Sequence, residues 1–125
     1  MNQGIKGKVI FRQGDFMPSP DAPPQGSGRG VKRELYIHEL TNMGQVQGEP
    51  PFYQQIQTKL VKKIVSDESG NFTVELQPGK YSLFVKEKDG YYANLFDGQS
   101  NIYPVEVKNK QVTEVEFIID HQATY

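Results

Sequence analysis

The sequence contains no cysteine, and this absence excludes several kinds of site at once. Without cysteine there is no disulfide framework, no thiol nucleophile and no thiolate metal site. The chain also lacks an excess of either charge, because 14 basic and 15 acidic residues give a formal net charge of −1. Without a basic excess there is little electrostatic attraction to a phosphate backbone, so we do not expect nucleic acid as a partner.

Long apolar runs are missing as well. No stretch approaches the roughly 18–20 consecutive apolar residues that a membrane span needs, so we expect no transmembrane segment. Met1 leads directly into a strand pattern without an apolar leader, so no signal peptide is expected, and a lipid anchor on a longer precursor stays open. With 125 residues and a mean hydropathy of −0.62, the chain is expected to form one polar domain spanning residues 1–125.

The main pattern that is present is alternation of apolar and polar side chains, which is typical of strands with one buried face. Segment 58–66 would also suit a short helix, but its β-branched residues favour a strand. Seven short strands without a convincing helix predict an all-β, seven-stranded, immunoglobulin-like sandwich of two antiparallel layers. The seven segments are 4–12, 31–40, 58–66, 72–76, 81–85, 105–107 and 112–119.

Loops and tight turns separate these segments. Residues 13–30 contain four prolines and four glycines and are predicted to form a long loop, as are residues 41–55 and 91–101. The sequence Asp-Glu-Ser-Gly-Asn at 67–71 predicts a turn, because Asp and Ser bond local backbone and Gly adopts positive φ.

Two motifs carry a resemblance to a known family. A turn ending in Gly-x-Phe leads into a strand, which is followed by Pro-Gly-x-Tyr and another alternating strand; the residues are Gly70, Phe72, Pro78, Gly79 and Tyr81. The opening segment 4–9, Gly-Ile-Lys-Gly-Lys-Val, matches the first strand of the same pattern. Together they resemble the carboxypeptidase regulatory-like (transthyretin-like) β-sandwich domain family, as found in small exported proteins of Bacteroidetes-type bacteria.

The resemblance implies both a topology and a location. It implies a transthyretin-like Greek-key sandwich outside the cytoplasm, whether in the periplasm, at the cell surface or secreted. The family domain often follows a catalytic domain and has no chemistry of its own, so it does not make this chain a peptidase. A small transthyretin-related enzyme is the weakest alternative, because such enzymes need a histidine- and arginine-rich site and this chain has two histidines.

Candidate catalytic groups are few. There is no Gly-x-Ser-x-Gly elbow. We expect His38 to be an exposed strand residue and His121 to lie in a solvated tail. Glu114 and Glu116 share one strand face, which a solvated surface explains more simply than a glycosidase-type carboxylate pair. The sequence therefore predicts a protein that is not an enzyme and needs no cofactor.

Two predicted turns contain groups of the oxygen ligands that calcium prefers. The turn at 67–71 is one such group, and Asp97 with Asn101 is another. Ordinary β-turns demand the same residue types, so no metal is expected, with Asp97 and Asn101 as the open alternative.

Aromatic residues in the predicted loops are the best candidates for binding, because rings give large contact area at low entropy cost. Either they contact an unknown protein or carbohydrate, or they fold back to cap the sandwich. Phe84 alternates out of the core and is expected to be covered by a loop or a partner. The candidate ligand-binding residues are Tyr91, Tyr92, Phe96, Phe52 and Tyr53.

These residues lead to two functional hypotheses. The first is a non-enzymatic, extracytoplasmic binding or adaptor module. The alternative is a structural spacer or an assembly subunit of a cell-surface protein, which pairs through an exposed strand edge.

Overall fold

The structure, a computed structural model, describes residues 2–12 and 28–120, which form an all-β sandwich. They contain no α-helix, and none of them belongs to a helix long and apolar enough to cross a membrane. A 3-10 turn spans Met43–Gln45. The strands are β1 (Gly4–Phe11), β2 (Arg29–Gly30), β3 (Glu34–Glu39), β4 (Thr41–Asn42), β5 (Val46–Glu49), β6 (Phe52–Ile56), β7 (Leu60–Val65), β8 (Asn71–Glu75), β9 (Gly79–Glu87), β10 (Gly90–Tyr92), β11 (Asn101–Ile102), β12 (Pro104–Val107) and β13 (Val112–Ile119).

The seven predicted strands correspond to β1, β3, β7, β8, β9, β12 and β13. The strand prediction for 58–66, where a helix was the alternative, is confirmed by β7. Of the predicted loop at 13–30, residues 13–27 lie outside the described residues, as does His121, and Arg29–Gly30 forms β2 instead of loop.

The smaller sheet is centred on β1. One side of β1 pairs antiparallel with β8 and β2, while the other pairs with β13 in parallel, from Gly4 opposite Val112 to Phe11 opposite Ile119. The expectation of two purely antiparallel layers is therefore wrong at this pair. A hairpin turn forces antiparallel pairing only between the strands that it joins, and β1 and β13 are the first and last described strands in the sequence.

The larger sheet is organised around β9. Its strands follow the order β5-β6-β10-β9-β3-β7, and β12 pairs with the beginning of β9 on the same side as β10. Among the described strands, none pairs with the outer side of β7, which is an edge of the sheet. A short pair of β4 and β11 stands beside this sheet.

The inward faces of both sheets share one core. Phe72, Leu83 and Phe117 come from three different strands and are all buried in it, as the alternating pattern predicts. Tyr103 contributes a ring that stacks on Phe117 with centroids 4.5 Å apart. Burial of these apolar side chains is the main term that stabilises the sandwich.

A second buried region lies on the outer face of the larger sheet. Phe84 points outward by alternation yet is fully buried, because Tyr53 and His38 pack edge-on against it at centroid distances of 6.0 and 5.6 Å. The prediction of a loop at 41–55 is thus wrong, since this segment holds β4, the 3-10 turn, β5 and most of β6. The glycines, prolines and glutamines of this segment give no recognisable strand pattern in the sequence. Its strands form because they cover Phe84 and pair with β10.

The predicted turn at 67–71 is present. The Asp67 carboxylate accepts hydrogen bonds from the backbone N–H groups of Ser69 and Asn71, both at 2.9 Å. Gly70 has φ +88°, and its N–H donates to the carbonyl of Asp67. The turn also passes close to β1, because the N–H of Val9 donates to the carbonyl of Gly70.

Replacement of Gly70 by alanine is expected to destabilise the fold by about 1–3 kcal/mol. A Cβ there would lie 2.4 Å from the carbonyl oxygen of Val9, in a backbone conformation that disfavours L-residues. The matched control is Gly98→Ala, where nothing lies within 4 Å of the added Cβ. Urea unfolding should separate the two variants, and equal midpoints would contradict this account of the turn.

Candidate functional site

The five predicted binding residues do not form one surface. Tyr53 and Tyr92 are fully buried, Tyr91 and Phe52 are half-buried, and Phe96 is 39% exposed. The prediction of a loop at 91–101 is wrong at its two ends, which belong to β10 and β11. Because neighbours in a strand point to opposite faces, Tyr91 and Tyr92 are separated by the sheet itself.

Tyr92, at the end of β10, is hydrogen-bonded to Asp120, the residue that follows β13. Its hydroxyl donates to Oδ1 of Asp120 at 2.7 Å, and Nδ2 of Asn94 donates to the same oxygen at 2.8 Å. The ring packs between Phe52 and Phe117, at centroid distances of 5.4 and 6.4 Å. Burial, together with the hydrogen bond to Asp120, raises the pKa of Tyr92 well above its usual value. Tyr92 therefore fits the alternative in which an aromatic ring folds back onto the sandwich instead of contacting a partner.

Tyr92→Ala and Tyr91→Ala form a matched pair of adjacent substitutions. Loss of the buried ring of Tyr92 is expected to cost about 3–5 kcal/mol of unfolding free energy. Loss of the surface ring of Tyr91 is expected to cost about 1 kcal/mol or less. Chemical denaturation of both variants tests the assignment, and similar losses would show that the two rings have similar roles.

A group of aromatic and charged side chains lies on the outer face of the larger sheet, and we call it the tyrosine face. The rings of Tyr36 and Tyr91 meet edge to face, with centroids 5.1 Å apart and planes at 78°. Nζ of Lys63 lies 5.4 Å from the centroid of Tyr36, and Nζ of Lys86 lies 4.6 Å from that of Tyr91. The tyrosine face consists of Glu34, Tyr36, Lys63, Lys86 and Tyr91.

The charges of the tyrosine face do not cancel. The hydroxyl of Tyr36 donates to Oε1 of Glu34 at 3.2 Å, and Nζ of Lys63 lies 3.6 Å from Oε2 of the same carboxylate. Hydrogen bonding to Tyr36 and the charge of Glu34 raise the pKa of Lys63. In the described part of the chain, Lys86 has no carboxylate within 4.0 Å. The face therefore carries one more positive charge than negative.

Tyr36 is not among the binding residues predicted from the sequence. Alternation along β3 places this residue on the outward face together with His38, and that signal was available. The sequence does not give the register between the strands. The register sets Tyr36 opposite Phe84 on β9, and Lys86 of β9 opposite Tyr91 on β10. Pairing between strands distant in the chain creates the tyrosine face.

Exposed large apolar side chains occur in two other places in the described residues. Leu60, Val61 and Val65 lie on β7 and are 43%, 36% and 50% exposed. The other two are Leu95 and Phe96, which are adjacent in one loop. Apolar residues concentrated on an open strand edge mark a surface that can pair with another chain.

Asp97 and Asn101 form a turn. Oδ1 of Asp97 accepts from the N–H groups of Gln99 and Asn101 at 2.8 and 2.9 Å, and Oδ2 accepts from Nδ2 of Asn101 at 2.9 Å. These hydrogen bonds, led by that of the Asn101 side chain, lower the pKa of the Asp97 carboxyl. Within residues 2–12 and 28–120, no three His, Cys, Asp or Glu residues are grouped to hold a metal ion. The hydrogen bonds of the turn are sufficient to explain why Asp and Asn occupy these two positions.

His38 is buried, so the expectation of an exposed strand residue is wrong. Only 6% of its surface is exposed, and Nδ1 lies 3.0 Å from the carbonyl oxygen of Thr58. The neighbouring hydroxyls of Thr58 and Thr41 are 2.7 Å apart. Burial lowers the pKa of His38, and the hydrogen bond to Thr58 opposes this only in part.

The lowered pKa of His38 predicts a pH dependence of stability. The folded state favours the neutral imidazole, so this contribution is complete above the unfolded pKa of about 6.5 and is lost as the pH falls below it. Urea midpoints measured between pH 7.5 and 5 should decrease for the wild type and decrease less for His38→Gln. Parallel curves for the two proteins would assign the effect to other groups.

The fold and its surfaces define a small all-β sandwich with an aromatic, cationic face. Comparisons of the chain with protein-family models, with curated proteins and with solved structures give no match. The resemblance to the carboxypeptidase regulatory-like family therefore stays a prediction.

Proposed function

We propose that this domain is a non-enzymatic binding or adaptor module whose partner is a protein that docks on the tyrosine face. One observation carries the proposal: two tyrosine rings on adjacent strands contact each other edge to face, and a lysine ammonium lies over each ring. Tyrosines are enriched in the centres of protein interfaces, where a few such residues supply most of the binding energy.

Rigidity supports this choice of surface. Tyr36 lies opposite Phe84 and Tyr91 lies opposite Tyr53 in the strand register, and both of these neighbours are fully buried. Burial also raises the pKa of Tyr53 to about 12. A face that is already ordered by its neighbours loses little conformational entropy when a partner binds.

The lysines favour a protein partner over a carbohydrate. Stacking of a sugar needs an open ring face, whereas both tyrosines have an ammonium group over the ring. Lys86, which has no carboxylate within 4.0 Å in the described part of the chain, can instead form a charge-assisted hydrogen bond with an acidic side chain. The partner proposed is therefore a protein surface that carries carboxylates.

The family and the location are part of the same proposal. A seven-stranded, immunoglobulin-like Greek-key topology of the carboxypeptidase regulatory-like kind is supported by the Pro-Gly-x-Tyr motif. The hydroxyl of Tyr81 in that motif donates to the carbonyl of Gln77 at 2.6 Å. This hydrogen bond spans the corner between β8 and β9, where the motif lies. The extracytoplasmic location rests on the resemblance.

Binding selections with matched variants test the proposal. Wild-type protein is used to select from a displayed library of peptides containing acidic residues and is applied in parallel to a glycan array. We expect bound peptides, and we expect Tyr36→Ala/Tyr91→Ala to weaken them by about 30-fold or more, the effect of losing a hot-spot residue. Leu95→Ala/Phe96→Ala is the control, because it removes an exposed apolar pair that is not part of the tyrosine face and should leave binding unchanged.

Two results would contradict the tyrosine face. One is equal peptide affinity of the wild type and the tyrosine variant, with both shown to be folded by thermal denaturation. The other is glycan binding that depends on Leu95 and Phe96, which would place the binding site in the loop between β10 and β11.

A further inference from the structure

Two long strand edges of this nearly neutral domain carry opposite charges. One edge is β7, and the other is the outer side of β13. Segment 59–65 has no acidic residue, and its basic residues are Lys59, Lys62 and Lys63. Segment 112–120 has no basic residue, and its acidic residues are Glu114, Glu116 and Asp120.

The β7 edge offers backbone groups together with apolar side chains. The N–H of Ser66 donates to the carbonyl of Arg33, and the ladder with β3 continues through Ile64 opposite Leu35. Hydrogen-bonding groups alternate along an antiparallel strand, so those of Lys63 and Val65 point away from β3. An incoming strand would find both hydrogen-bonding partners and exposed apolar surface there.

The β13 edge lines a groove of about 500 Å³ between β12 and β13, in which Glu106, Glu114 and Glu116 outnumber one basic residue, Lys108. The ladder between β1 and β13 begins with the N–H of Gly4 donating to the carbonyl of Gln111, so the backbone groups of Glu114 face the groove. The hydroxyl of Tyr103 already donates to the carbonyl of Glu116 at 3.1 Å. The accessible part of this edge is therefore centred on Glu114.

We propose that β7 of one copy of this chain pairs with the β13 edge of a second copy, so that copies associate head to tail. An antiparallel register with Lys63 opposite Glu114 also sets Val65 opposite Val112, which joins one pair of opposite charges and one apolar pair. Cross-strand pairs of both kinds stabilise a sheet. This assembly goes beyond the proposed function, because it uses the strand edges and not the rings of the tyrosine face.

Pairing of β7 with another β7 is disfavoured. A two-fold antiparallel arrangement centred on Lys63 would place this residue directly opposite Lys63 of the other copy, and like charges directly opposite destabilise a sheet. The acidic edge of β13 removes this repulsion. Because the two edges differ, the association is heterologous and adds copies at either end instead of stopping at a dimer.

The first test is the mass of the wild-type protein in solution. A short strand pair is a small interface, so the association is weak, and concentrations up to about 1 mM are needed. Sedimentation equilibrium at low salt should show a mass that rises with concentration above the 14.2 kDa of one chain. About 1 M salt screens the attraction between charges that are more than about 3 Å apart, so the mass should return towards that of one chain.

Charge reversal identifies the edges. Lys62→Glu/Lys63→Glu gives two acidic edges, and Glu114→Lys/Glu116→Lys gives two basic edges, so each variant alone should stay monomeric. An equimolar mixture should associate again, because each variant supplies the charge that the other lost. Lys32→Glu/Lys88→Glu is the matched control, since both lysines are exposed and lie off these edges, and it should associate like the wild type.

A wild-type mass that is independent of concentration at low salt would overturn the proposal, as would a mixture of the two reversed variants that remains monomeric. Thermal denaturation of each variant shows that it is folded. Tyr36→Ala/Tyr91→Ala should associate like the wild type. Failure of head-to-tail assembly therefore leaves docking on the tyrosine face intact, and failure of that docking leaves the assembly intact.

Discussion

Strand β9 is buried on both of its faces, so other elements of the fold must cover two sides of it. All five residues from Tyr81 to Val85 are buried, although alternation sends only three of them into the core between the sheets. Leu83 packs in that core, while Phe84 needs a separate cover on the opposite face. The hairpin of β5 and β6 supplies the cover by placing Tyr53 against Phe84. A two-layer sandwich with one extra covered region follows from this single strand.

The same constraint positions the surface that we propose for binding. Because the hairpin covers only part of the outer face, Tyr36 and Tyr91 remain half-buried beside the covered region, with the two lysines over their rings. The tyrosine face is thus held by strands that the core already orders. The edges of β7 and β13 carry opposite charges, which suit pairing of strands more than docking of a flat surface, and Lys63 of β7 belongs to the tyrosine face as well. In the two proposals, docking uses the rings of the tyrosine face and assembly uses the backbone edges of β7 and β13.

The candidate site was partly predictable from sequence. The neighbouring tyrosines at 91 and 92 were recognised as candidates, but their roles depend on which face of β10 each occupies. Tyr92 is fixed by Asp120, which is 28 residues away in the chain, and by the ring of Phe117. Tyr36 was passed over because its partner is 55 residues away. The expectation that His38 is exposed fails for the same reason, since its ring packs on Phe84 of β9 and its Nδ1 bonds to the carbonyl of Thr58, 20 residues away.

Local sequence patterns are sufficient to predict the all-β class, the seven main strands, the turn at Gly70 and the corner at Tyr81, because period-two alternation and turn chemistry act between near neighbours. The parallel pairing of β1 with β13, the strands within 41–55 and the group of residues on the outer face arise only when distant strands pack together. These features depend on register between distant strands and on the need to cover Phe84. Alternation specifies which side of a strand a residue occupies, but not which strand lies next to it or what covers that side.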